Sequence, residues 1–182
     1  SYERHRHQGY HAFIDDLEST LVRRYLTPSS RILEAGCGTG LVLGRLAPHV
    51  KSAVGVDLSG GMLRKAHARS LTVVQGSVTA LPFADASFDM VCSFKVLAHV
   101  EQISQAMSEL SRVLRPGGVI CAEFYNTRSL RYVIKRLKRP TQIADGKPDV
   151  HDEAVFTRYD SLDDVRGYLP PGVEVETVYG LR

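Results

Sequence analysis

Three glycines at alternate positions, Gly36, Gly38 and Gly40, close the segment Ile32-Leu-Glu-Ala-Gly-Cys-Gly-Thr-Gly40. Glycine admits positive φ and brings backbone close to a ligand with no Cβ in the way. The residues before them read as a short strand, and those after them open a helix whose first N–H groups are available to an anion. A tight strand-to-helix turn without any ligand has the same signature, so the glycines alone decide little. Glu34 adds chemistry to the pattern, because a carboxylate just ahead of the turn suits a cationic ammonium and opposes a pyrophosphate. Asp57, in Val54-Gly-Val-Asp-Leu58, follows Gly38 by 19 residues. An acid at the carboxyl end of a second strand accepts hydrogen bonds from ribose hydroxyls. The alternative role, capping the next helix, falls more naturally to Ser59. His99 lies just beyond an apolar run on the same side of the chain's alternation, and histidine as a residue type titrates near neutrality, as a general base requires. Its competing role is to pack or cap at the start of the following helix. Tyr125, at the end of a later strand, is a second candidate facing the same crevice, ahead of Tyr10 and His11.

The elements that must hold these residues follow from periodicity. Apolar spacing predicts a helix over 11–26, with Phe13, Ile14, Leu17, Leu21 and Tyr25 on one face. Short apolar runs predict strands at 31–35, 52–57, 71–75, 88–94 and 119–124. Helices are expected at 41–47, from Ser59 to about 68, at 101–114 and at 161–169, with Arg115-Pro-Gly-Gly118 as a break. Val173–Tyr179 alternates like a further strand. Continuous apolar strands separated by helices argue for an α/β fold: a doubly wound, Rossmann-like, mostly parallel sheet with helices on both faces. Its ligand crevice is expected outside the carboxyl ends of the strands, where the strand order reverses.

Composition sets the bounds. A chain of 182 residues with 43% hydrophobic and 24% charged residues reads as one globular domain. No run approaches the ~20 apolar residues of a membrane span. The net charge of +3 does not call for a nucleic-acid partner. Cys37, Cys92 and Cys121 are widely spaced without a C-x-x-C pair, which argues against a disulfide framework or a metal site and for a reducing, cytoplasmic location. A basic stretch, Arg128–Arg139, carries Leu130, Val133, Ile134 and Leu137 at helical spacing. It reads as a helix with a solvated charged face, or as a surface for an acidic substrate, a membrane surface or RNA.

Two further segments, Gly76-Ser-Val-Thr-Ala-Leu-Pro-Phe83 with Ser87-Phe-Asp-Met-Val91, and Arg112-Val-Leu-Arg-Pro-Gly-Gly118, complete an ordered set with the glycine turn and Asp57. Over residues 30–125 that set resembles class I S-adenosylmethionine-dependent methyltransferases of the small-molecule branch. The resemblance implies S-adenosyl-L-methionine as cofactor, a small-molecule methyl acceptor and transfer by in-line displacement. It places Glu34, Gly36, Cys37 and Gly38 around the cofactor's methionine part, and Asp57 on the ribose. Leu58 and Met62 fall at the adenine wall, Ser77 and Val78 at the adenine edge, and Phe94 beside the methionine arm. Serine stands at 77 where the family usually has an acid, so that contact lacks charge assistance. It also divides the chain into a cap helix (1–28), a cofactor core (30–125), a basic substrate-cap insertion (126–160) and a final helix and strand (161–182). The family's seventh strand has no counterpart before Arg182, so the sheet edge is expected to be covered by rearrangement or by a second copy in a homodimer. A domain that binds the cofactor without catalysing, an RNA methyltransferase and a nicotinamide-dependent oxidoreductase are the competing readings. The last fits poorly, since the third glycine comes one residue early for Gly-x-Gly-x-x-Gly.

Overall fold

A computed structural model of the chain describes residues 10–129 and 156–180. Helix α1 (Tyr10–Arg23) precedes β1 (Arg31–Ala35), α2 (Leu41–Leu46), β2 (Ser52–Asp57), α3 (Gly60–His67), β3 (Thr72–Gln75) and β4 (Phe88–Ser93). A 3₁₀ turn at Leu97–His99, α4 (Ile103–Val113), β5 (Leu114–Ala122) and α5 (Leu162–Tyr168) follow. The five strands form one sheet in the order β3-β2-β1-β4-β5, and every pairing is parallel. The order reverses between β1 and β4, which puts the crevice at their carboxyl ends.

Strand alternation assigns the two faces. Leu33, Ala35 and Val91 pack with Ile103, Met107, Leu110 and Val113 of α4. Ile32, Met90 and Cys92 point the other way, toward Val22 after α1's middle and Val42 and Leu46 of α2. Helix starts follow their sequence signals. The Ser59 hydroxyl accepts from the Met62 amide at 3.3 Å, and Ser161 and Asp164 form a reciprocal capping box on α5.

The structure departs from expectation in three places. Phe13, expected on the buried face of α1, is 62% exposed, while Asp15 and Glu18 are buried at 1% and 0%. The Arg115–Gly118 segment does not precede the last strand but interrupts it: Phe88 pairs with Leu114 and Met90 with Val119. The intervening residues bulge outward, with Gly117 at φ 75°. Val173–Tyr179 has no regular secondary structure and joins no ladder among the described residues. Its Tyr179 instead lies close enough to Tyr25 to raise the latter's pKa. Most of the basic stretch, from Leu130 onward, lies outside the described residues.

The Arg112 guanidinium accounts for the linkage between two of the sequence motifs. It donates to the Phe83 carbonyl at 2.8 Å and the Leu81 carbonyl at 3.1 Å, and it pairs with Glu109 and Asp85. Glu109 in turn accepts from the Leu81 amide at 2.7 Å. Helix α4 thereby clamps the Leu81–Phe83 segment, which fixes the loop carrying Ser77 and Val78.

Candidate cofactor and acceptor site

The glycine turn is pinned to the neighbouring strand. The Gly36 and Cys37 amides both donate to the Val56 carbonyl, at 2.7 and 3.0 Å. Gly36 and Gly38 have φ of 79° and 54°, in the left-handed region that favours glycine. Their constraints differ. A Cβ at Gly36 would collide with the Val96 side chain, whereas a Cβ at Gly38 would meet nothing within 4 Å. Asp57 closes the turn from the other side: its two carboxylate oxygens accept from the Gly38 amide and the Ser59 amide, each at 2.8 Å. A carboxylate has about four acceptor positions, so both oxygens retain capacity for a ligand's hydroxyls.

A cavity of about 490 Å³ opens at the carboxyl ends of the strands. Gly36, Asp57, Leu58, Ser77 and Val78 line one part of it, and Lys95, Val96, His99 and Val100 the other. Leu58 is 73% exposed, an apolar side chain displayed beside Asp57. Ser77 sits in a side-chain turn, its hydroxyl 2.7 Å from the Thr79 hydroxyl and accepting from the Thr79 amide at 3.2 Å. The remaining expected residues lie outside the lining. Met62 is half-buried in the first turn of α3. Phe94 is buried among Val22, Val42 and Leu46. Cys37 is buried beneath the turn, where burial pushes its thiol up to about 12. A second cleft of about 330 Å³ lies at the opposite end of the sheet, where Arg31 and Arg115 converge on Asp89.

His99 is set by a segment whose role its sequence did not reveal. Residues 156–160 run alongside Ala98 and Tyr125, with the Arg158 amide donating to the Ala98 carbonyl at 2.8 Å and the Asp160 amide to the Tyr125 carbonyl at 2.7 Å. Buried Asp160 holds that segment through Arg158 at 3.1 Å and the Tyr168 hydroxyl at 2.9 Å. The Phe156 carbonyl then lies 2.8 Å from His99 Nδ1. A carbonyl only accepts, so Nδ1 carries the proton and Nε2 of the neutral ring is the acceptor. Tyr125 meets the His99 ring edge-on at 6.0 Å, and Tyr159 stands 5.8 Å beyond it.

On the α1 face lies a second set of ionisable groups. Lys95, at φ 62°, is a non-glycine residue in left-handed backbone. Its Nζ bonds Asp15 at 2.7 Å and Glu18 at 2.8 Å, and its amide donates to Glu123 at 3.0 Å. Glu34 is only 4% exposed. Burial pushes its carboxyl up to about 8, against the pull of the nearby Leu43 amide. Burial likewise raises Glu18 to about 7 against the pull of Lys95. Among the described residues, Glu18 Oε1 and Glu34 Oε2 have no hydrogen-bond partner. Sequence reasoning marked Glu34 and missed Asp15 and Glu18, because hydrophobic periodicity assigns acids to the solvent face of a helix.

Known proteins resemble this chain in sequence and in fold. A methyltransferase domain model matches residues 33–122. A demethylmenaquinone methyltransferase of Mycobacterium marinum is 33% identical over 132 residues, 68% of this chain and 57% of that protein. A malonyl-[acyl-carrier protein] O-methyltransferase of Herminiimonas arsenicoxydans is 45% identical over 93 residues, 50% of this chain and 35% of that protein. The chain thus spans little more than half the length of the first of these relatives and about a third of the second. The crystal structure of a Thermotoga maritima protein described as a SAM-dependent methyltransferase superposes with a TM-score of 0.67 at 23% identity, covering 92% of this chain and 73% of that one. At that identity the likeness shows the fold.

Proposed function

Because the chain belongs to the class I S-adenosylmethionine-dependent methyltransferases, we propose that it transfers the cofactor's methyl group to a small-molecule acceptor held at the His99 side of the cavity. The observation that carries this reading is the pair of carboxylates flanking the glycine turn. Asp57 borders the cavity with acceptor capacity left on both oxygens, and buried Glu34 has one oxygen lacking a partner among the described residues. These residues fit the cofactor's two polar ends, a ribose diol and an α-ammonium.

The cofactor supplies an activated methyl on a sulfonium, so the protein's task is to bind, orient and exclude water. Asp57 accepts the ribose hydroxyls, Leu58 and Val78 provide apolar surface for the adenine ring, and Ser77 offers a neutral polar contact. Gly36 and Gly38 let backbone approach the methionine arm. His99 presents Nε2 as the group that takes a proton from an acceptor that must lose one, with Nδ1 fixed by the Phe156 carbonyl. Tyr125 and Tyr159 extend an aromatic wall from His99, which suits a planar acceptor. The two curated relatives named above are called after a quinone and an acyl carrier substrate, and both names support a small or carrier-bound metabolite over RNA.

Titration calorimetry with S-adenosylhomocysteine tests the reading. Asp57→Ala is expected to weaken binding about tenfold or more, the worth of a charge-assisted hydrogen bond. Unchanged affinity would remove Asp57 from the site, and absence of binding to the unaltered protein would remove the proposal. Turnover with a panel of acceptors then separates an enzyme from a binding domain.

A further inference from the structure

Residues 156–160 bond two loops at once. On one side the Phe156 carbonyl lies 2.8 Å from His99 Nδ1, and the Arg158 amide donates to the Ala98 carbonyl at 2.8 Å. On the other side the Asp160 amide donates to the Tyr125 carbonyl at 2.7 Å, and the Asp160 carbonyl accepts from the Thr127 amide at 3.2 Å. The segment therefore joins the loop after β4, which carries His99, to the chain after β5, which carries Tyr125. A side-chain lock anchors it. Asp160 is buried at 4% exposure, and both its carboxylate oxygens accept from Arg158 Nε, at 3.1 and 3.2 Å. The Tyr168 hydroxyl of α5 donates to Asp160 Oδ1 at 2.9 Å and accepts from Arg158 Nη2 at 2.6 Å. The Arg158 guanidinium also stands over the Tyr168 ring, 4.6 Å from its centroid. Tyr168 packs in turn against the core that contains α4. None of Asp160, Arg158 and Tyr168 lines the cavity, so the lock reaches the site only through the backbone of 156–160.

We propose that Asp160 is a positioning residue for methyl transfer: by fixing Arg158 it holds the Phe156 carbonyl against His99, so that the ring proton stays on Nδ1 and Nε2 remains an acceptor. Its bearing on transfer rests on the function proposed above, whereas its hold on the tautomer rests on the hydrogen bonds alone. A carbonyl cannot donate, so only an Nδ1–H satisfies the Phe156 contact. The Thr157 hydroxyl, 3.4 Å from the same nitrogen, can donate or accept and does not select a tautomer. Phe156 is 43% exposed, so its own side chain does little to place its carbonyl. The Arg158 amide two residues on, with the lock behind it, does. Removing one partner of a buried ion pair leaves the other uncompensated, so loss of the Asp160 charge loosens Arg158 and the segment with it. The ring proton then exchanges onto Nε2, where His99 offers a donor and no longer an acceptor. The same lock holds the Tyr125 carbonyl, and with it the edge-on spacing of Tyr125 from His99.

Nitrogen NMR of the histidine rings reads the tautomer, because protonated and unprotonated ring nitrogens differ widely in chemical shift. Spectra are taken on the whole chain at about pH 8.5, above the ordinary histidine range, with and without S-adenosylhomocysteine. The His99 signals are those lost in His99→Asn. The unaltered chain is expected to show Nδ1 protonated and Nε2 bare. Asp160→Asn should raise the ratio of the Nε2–H to the Nδ1–H form about fivefold or more, the worth of one hydrogen bond, while S-adenosylhomocysteine affinity stays within about twofold in calorimetry. Asp89→Asn breaks the ion pairs at the opposite end of the sheet and should leave the ratio unchanged; an equal rise there would mark a general loss of stability and overturn the inference. Should Asp160→Asn fail to fold, Tyr168→Phe withdraws one donor from Asp160 and keeps its ion pair, and the ratio should rise about twofold or more. A His99 protonated on Nε2 in the unaltered chain, or a ratio unmoved in the variant that folds, overturns the inference and leaves the cofactor reading intact. Failure of S-adenosylhomocysteine to bind the unaltered chain refutes the cofactor reading, and the ligand-free spectra still decide whether Asp160 positions His99.

Discussion

Raising the pH from 5.5 to 7.0 should weaken the ligand-free fold by about 3 kcal/mol. Glu34 and Glu18 ordinarily titrate at 4.5 but are raised to about 8 and about 7 in the folded chain, chiefly by burial. Between those limits the folded state holds protons that the unfolded state has lost. The stabilisation from these two groups is therefore complete below 4.5 and is lost as pH climbs through 7 and 8. One proton of difference is worth about 1.4 kcal/mol per pH unit. Over the chosen interval Glu34 contributes about 2 kcal/mol and Glu18, part-ionised at the upper end, somewhat more than 1 kcal/mol. For a domain of this size that lowers the melting temperature by about 6–12 °C. Asp89, Glu109 and Asp164 are shifted downward by their partners. Their contribution is lost only as pH falls below the ordinary carboxylate range, outside this window. Differential scanning calorimetry at constant ionic strength measures the slope, and Glu34→Gln should remove more than half of it. A melting temperature that is flat or rises from pH 5.5 to 7.0, or a Glu34→Gln slope equal to that of the unaltered chain, would refute the account of the buried acids.

Gly36→Ala meets the Val96 side chain as well as a φ of 79°, and should cost about 2–4 kcal/mol in urea denaturation. Gly38→Ala, with open space around its Cβ and φ 54°, should cost only about 1–2 kcal/mol; equal losses would contradict the steric distinction. Arg112→Met strips the donors from the Leu81 and Phe83 carbonyls and should destabilise by about 2–3 kcal/mol, with faster proteolysis near residues 77–83. Resistance equal to the unaltered chain would mean that α4 does not clamp that loop. His99→Asn should lower turnover of an acceptor that loses a proton at least about tenfold while S-adenosylhomocysteine affinity holds; turnover within twofold excludes His99 as the base.

Much of the architecture was legible because its signals are local. The glycine turn, Ser59 as a cap, the apolar runs of β1, β2 and β4 and the Ile103–Met107–Leu110 stripe each depend on residues a few positions apart. The boundaries of β5 were harder. Proline and glycine in Arg115–Gly118 mark a chain irregularity, but whether it ends an element or bulges from it is decided by a partner strand. Here Met90, Val91 and Cys92 recapture Val119–Cys121 in register. Val173–Tyr179 errs in the opposite sense, having the alternation of a strand without a ladder to join.

The site divides along the same line. Asp57 is readable since its position relative to the turn follows from one strand–helix–strand unit. Asp15 and Glu18 are not, because hydrophobic periodicity assigns acids to the solvent face and here turns Phe13 inward instead. Their burial depends on Lys95, 80 and 77 positions away, and a helix rotates to bury charge only when the tertiary structure supplies the counter-charge. The same holds at the acceptor side, where Phe156, Arg158 and Asp160 come from a polar stretch yet set the tautomer and position of His99. Cofactor-binding parts built from contiguous backbone therefore announce themselves in sequence. Parts that tune charge and protonation are assembled from distant segments, and each is intelligible only once its partner is in place.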